Sequence, residues 1–297
     1  MRTRTWLVVG LACALGGAVH AQPAEKAPPP ASAAKQPAAK QPAAKQPKPK
    51  KGAKGAKVEL APTIAAINGA SVDAAVKAAE ALGASPEPAA HDALLDALAM
   101  GLPPTVAIVA VGALLQHPAP PDVTALKRYA GHRNPMVRSA AYGSLAMYPD
   151  PVARKALVAG LRDMTAAVRA AAAAAAAKGR VREAVEPLFE LLARNEEPAA
   201  KALAAMADAD LARKIGEQFG KVPEPILATT LGMVLKRTDF GPDPARVELV
   251  RAIGKMQDPK ATAVLTEYVE ATPKNPPRAS RQEAQKMVEA RVGGGGK

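Results

Sequence analysis

From residue 58 onward, apolar positions recur at helical spacing in stretches of roughly 11–15 residues, separated by short breaks of Pro, Gly, Asp or Asn. Asn134 is placed to cap a helix running through Tyr142 to Met147, and Pro135 stands in its first turn, where a missing amide costs nothing. Asp150-Pro151 opens the next helix, through Leu157 to Leu161. A third runs from Thr165 through the alanines of 170–177 to a stop at Gly179, and a fourth from Val181 to Leu192. The Asp-Pro start returns at Asp258-Pro259, ahead of Ala263, Leu265 and Val269. Pro273, Pro276 and Pro277 break the pattern, and Ser280 to Val292 reads as a last, basic helix, expected to cap the array with a polar face.

These helices come in pairs with a fixed period. Val137-Arg138 recurs as Val168-Arg169, 31 residues later. The same offset relates Leu126, Leu157 and Leu188; Ala130, Leu161 and Leu192; and Ala140, Ala171 and Ala202. One helical hairpin cannot bury its own apolar face, whereas stacked hairpins share a continuous core. Low aromatic content (3%) within a 48% apolar chain agrees, because an Ala/Leu core suits closely spaced helices and suits β-sandwiches poorly.

The strings Asn134-Pro135-Met136-Val137-Arg138-Ser139-Ala140-Ala141 and Asp163-Met164-Thr165-Ala166-Ala167-Val168-Arg169-Ala170-Ala171 resemble the short bacterial, lyase-like HEAT repeats. The resemblance is specific over 134–195. Segments 86–133, 196–222 and 223–273 share only the helix-pair pattern and lack Val-Arg at the expected offset. It implies an all-α fold, a right-handed α-solenoid of antiparallel helix pairs whose concave face binds a partner. Arg138 and Arg169 are expected to form a structural ladder along the repeats, with Asp163 as the candidate acceptor for Arg169. Tyr142 and Tyr148, beside one turn, are the candidate surface anchors for a partner.

Ahead of the repeats lie two segments of different character. Arg2 and Arg4 precede an uncharged run from Trp6 to Val19, and Val19-His20-Ala21 offers a cleavage site after Ala21, the three-part pattern of a secretory signal peptide. That run is shorter than the ~20 residues needed to span a bilayer, so the cleaved chain is not expected to cross a membrane. Cys13, the one cysteine, lies inside this leader, and the residues before it fit a lipidation box poorly. Residues 22–57 carry nine lysines against Glu25 and repeat Lys-Gln-Pro-Ala-Ala. Such a segment cannot bury a core; it is expected to be disordered and extended, reaching on the order of 100 Å at ~3.1 Å per residue. Lys35, Lys40, Lys45, Lys48, Lys50, Lys51, Lys54 and Lys57 are candidate contacts to anionic polymers of the cell envelope. Without an aromatic residue the segment offers no base stacking, and no specific nucleic-acid binding is expected.

The chain therefore divides into a leader (1–21), a linker (22–57), a solenoid (58–273), a basic helix or cap (274–292) and a glycine tail (293–297). Formal charge is +13, carried by the two ends, with 58–273 near neutral. No catalytic constellation emerges. His91, His117 and His132 form no helical metal pair, Asp92 with Asp96 and Glu183 with Glu186 read as solvated faces, and no nucleophile elbow or phosphate loop occurs. Some proteins of similar repeats are DNA glycosylases that use Trp, but the sole Trp here is Trp6. The expectation is a non-enzymatic scaffold without a cofactor, periplasmic or secreted, binding a protein or extended peptide. The alternative is a DNA- or polyanion-associated protein acting through its lysine tail.

Overall fold

A computed structural model describes residues 59–293. Fifteen α-helices and no β-strand occur among them: α1 (Leu60–Ile67), α2 (Val72–Ala84), α3 (Pro88–Met100), α4 (Pro104–Ala113), α5 (Asp122–Ala130), α6 (Pro135–Leu145), α7 (Pro151–Gly160), α8 (Ala166–Lys178), α9 (Val185–Ala193), α10 (Glu197–Met206), α11 (Ala209–Gly216), α12 (Glu224–Lys236), α13 (Asp243–Gly254), α14 (Pro259–Ala271) and α15 (Ala279–Gly293). The starts follow local chemistry. Proline stands in the first turn of α3, α4, α6, α7, α10, α12, α13 and α14. Asn134 accepts the Met136 amide, Asp150 those of Val152 and Ala153, and Asp258 that of Lys260.

The helices form an α-solenoid of two rows. Even-numbered helices pack each on the next from α2 to α14, whereas odd-numbered helices from α1 to α13 meet more sparsely. Side-chain size explains the difference. Ten of the thirteen residues of α8 are Ala, in the sequence AAVRAAAAAAAAK, and α10 is nearly as small, so backbones in this row approach closely. A stack with one row more tightly spaced is expected to bend toward that row, and the even-numbered helices are called the inner row on that ground.

The 31-residue positions are the core between the rows. Leu126, Leu157 and Leu188, with Ala141, Ala172 and Leu203, are all buried. Close approach extends across the rows at Gly160 of α7: a Cβ added there would lie 2.6 Å from the Tyr142 ring and 2.9 Å from the Ala172 Cβ. At the C-terminal end α15 packs on both α13 and α14, burying Ser280 and Ala284 and covering the last pair. No described helix is long and apolar enough to cross a membrane.

Candidate partner-binding face

Two arginines tie successive repeats together. Arg138, in the first turn of α6, donates from Nε and one Nη to Asp163 (2.8 and 2.9 Å) and from the other Nη to the carbonyls of His132 and Arg133. Arg169, in the first turn of α8, repeats the arrangement: its carboxylate partner is Glu196, 3.0 Å from Nε, and its carbonyls are those of Asp163 and Met164. Asp163 thus offers its carboxylate to Arg138 and only its main-chain carbonyl to Arg169, which differs from the side-chain pairing expected above. The reason is directional. Each fork spans to the loop that follows it and holds the loop that precedes it. The Arg138 guanidinium holds the Asp163 carboxyl below the usual range; burial opposes this, and the Thr165 amide adds to it. His132 serves the loop before α6 as Asp163 serves the next, accepting the Asn134 amide on Nδ1 while Asp163 accepts that of Thr165.

The tyrosine anchors do not lie on the surface. Tyr142 is 7% exposed and Tyr148 8%. Tyr142 fills the space above Gly160, and the Tyr148 hydroxyl donates to Asp122 at 2.6 Å. Burial, with the neighbouring carboxylate, pushes the Tyr148 hydroxyl far above its ordinary pKa. Their amphipathic character suggested a surface role, but each spends its apolar body on the core. Asp122 is itself fully buried and also accepts the Ala119 amide (2.8 Å) and binds His91 Nε2 (2.7 Å). This His91–Asp122–Tyr148 brace links α3, α5 and the α6–α7 turn. Sequence reasoning missed it, although His91 and Asp122 stand 31 residues apart, the repeat offset that places equivalent positions side by side.

What remains exposed on the inner row is small and smooth. Gly112 of α4, Gly143 of α6, Ala174 of α8 and Ala205 of α10 are all exposed, and they succeed one another at 31-residue intervals. A Cβ at Gly112 or Gly143 would meet no atom within 4 Å, so packing does not require glycine at either place. Along the edge formed by the loops entering α4, α6 and α8 stand Met100, Met136 and Met164, exposed by 84%, 69% and 92%. Arg133, Arg162 and Arg194 are exposed in the loops entering α6, α8 and α10, with Arg162 paired to Glu190 at 3.5 Å. The near-neutral body is divided in charge: residues 59–100 carry six acidic side chains against Lys77, and residues 101–180 carry ten Lys and Arg against Asp122, Asp150 and Asp163.

Asp92, Asp96, Glu183 and Glu186 are exposed. No cluster of His, Cys, Asp and Glu able to hold a metal occurs among the described residues. The leader with Cys13, and the linker with Lys35, Lys40, Lys45, Lys48, Lys50, Lys51, Lys54 and Lys57, lie outside the described residues.

A model of HEAT repeats matches residues 92–177. No curated protein matches the chain. Among solved structures, the CpcE–CpcF complex of phycocyanin lyase from Nostoc sp. PCC7120 is 17% identical with a TM-score of 0.43, over 82% of this chain and 99% of that one. The karyopherin Kap121p bound to the extreme C-terminus of the protein phosphatase Cdc14p is 12% identical with a TM-score of 0.43, over 76% of this chain and 29% of that one. An engineered protein is 20% identical with a TM-score of 0.34, over 79% and 97%. Residues 92–177 are HEAT repeats, set within an α-solenoid that continues the same two-row packing to either side.

Proposed function

We propose that this chain is a non-catalytic scaffold of the cell envelope that grips a protein or extended peptide along its inner row. The observation that carries this reading is the methionine edge. Three large, flexible apolar side chains stand 69–92% exposed at the entrances of successive repeats, beside Arg133 and Arg194, which are exposed as well. Methionine adapts its shape to a partner at little cost, and singly exposed residues distributed along successive repeats suit shallow, repeated contacts. The smooth floor of Gly112, Gly143, Ala174 and Ala205 supports it, because small side chains let a partner backbone approach closely. Export and cleavage after Ala21 belong to the same proposal and rest on the three-part N-terminal pattern. The lysine linker would then supply reach and weak attraction to anionic polymers.

Photocrosslinking in living cells tests the reading. A photoreactive residue at position 136, 143 or 164 is expected to give one discrete adduct, and one at Lys155 or Glu186, on the odd-numbered helices, none. Equal labelling from both sets, or from neither, would reject an inner-face scaffold. Intact mass of the fractionated native protein tests the address separately: a species beginning at Gln22 is expected, and a cytoplasmic species retaining Trp6 would reject export.

A further inference from the structure

Only two described charged side chains are buried, Asp122 and Arg246. Asp122 has His91 opposite it. Arg246, in the first turn of α13 and 6% exposed, has no carboxylate. Its Nη groups donate to the carbonyls of Leu235 (2.6 Å), Arg237 (2.8 Å) and Phe240 (2.7 Å), and its guanidinium carbon lies 5.6 Å from the Phe240 ring centre. Arg138 and Arg169 occupy the same first-turn position, hold preceding carbonyls in the same way, and each aims Nε at a carboxylate. For Arg246 the carbonyl half of that arrangement is present and the acid half is missing.

A cavity of about 320 Å³ opens against Arg246. Lys236, Arg237, Thr238, Thr272 and Arg278 line it with Arg246, and no acidic residue does. Arg237 is engaged by Asp239 and Lys236 by Glu267, whereas Arg278 has no acidic partner within ion-pair distance. The Arg246 Nε–H meets no protein acceptor among the described residues, and no buried side-chain nitrogen or oxygen is sealed off without one, so that Nε keeps accessible surface in a side chain that lines the cavity. A cavity lined by cations and by no acid offers an anion a complementary charge.

We infer that this cavity is a carboxylate-binding site, with Arg246 and Arg278 forming the charged clamp and the Thr238 and Thr272 hydroxyls as further donors. The carbonyl ends of α12 and α14 border the cavity and carry partial negative charge, a cost to any anion that the cationic lining must offset and that is smaller for a singly charged, planar carboxylate than for a dianionic phosphate. The inference is independent of the inner-row reading, since it involves none of the same residues.

Calorimetric titration of the full chain with succinate, at constant ionic strength and with chloride as the comparator, tests it. Saturable binding is expected, weakened about tenfold by Arg278→Ala, consistent with loss of a charged hydrogen bond. The unliganded melting temperature should be unchanged, because Arg278 is exposed and unpaired. Arg133→Ala removes the same charge from the methionine edge and should leave affinity intact. A glutamate-containing peptide run beside succinate identifies the source: tighter binding of the peptide assigns the carboxylate to a partner's side chain, equal binding to a small free acid. Heats no different from chloride, equal losses in Arg278→Ala and Arg133→Ala, or binding of inorganic phosphate in place of succinate would overturn the assignment.

Discussion

Asp163 faces two repeats at once, through its carboxylate to Arg138 and its carbonyl to Arg169. Asp163→Ala strands a largely buried guanidinium and should cost about 3 kcal/mol of stability, read from chemical denaturation. Because its pKa is lowered in the folded chain, the stabilisation is present above the unfolded value of about 3.9 and is lost as pH falls through the folded one. The melting-temperature gap between the wild type and Asp163→Asn should therefore narrow below about pH 4. Residue identity alone located this ladder, because Val-Arg repeats at a fixed offset. It did not locate the environment of Tyr148, whose hydroxyl partner, Asp122, lies 26 residues away and was unremarkable in its own sequence context. A tyrosine near a turn is equally suited to surface or core, and only the packing of α5 against α6 and α7 decides between them.

At the scale of elements, two glycines make opposite demands. Gly160→Ala would drive a methyl into the Tyr142 ring and Ala172, and should destabilise by about 1–3 kcal/mol. Gly143→Ala adds a methyl in open space within a helix, and should stabilise by about 0.5–1 kcal/mol in thermal or denaturant unfolding. If the inner row carries the partner, that same substitution weakens binding, so the two readouts should diverge. Helix starts were legible because Asn134, Asp150 and Asp258 act locally with the following prolines. The first turn of α13 was not: Arg246 lacks the preceding valine-bearing motif, and its role depends on carbonyls at the end of α12. Removing α15 by ending the chain before Ala279 should expose the faces of α13 and α14 and give self-association in light scattering, since a solenoid end needs cover.

Across the whole molecule, the repeat period was enough to establish an all-α solenoid, because equivalent residues stacked by 31 must fall into one core. Net charge was less informative. A sum near zero over 58–273 concealed an acidic first segment and a basic stretch from 101 to 180, and only the order of residues along the stack exposes that polarity. Stacks of this kind unfold by loss of neighbour interfaces. Hydrogen exchange should accordingly be slowest in α6, α8 and α10, whose row is densest, and faster toward α1.

The arginine ladder has a consequence for how such a chain can grow. Arg138 and Asp163 both fall within the 31 residues 135–165, so that stretch holds a complete buckle. An in-frame duplication of it would arrive with its own fastener, already matched to the unit before and the unit after. The array would lengthen by one helix spacing, about 8–10 Å, with no new pairing to invent. The length of what it can embrace is thereby a quantity that a single genetic event can adjust.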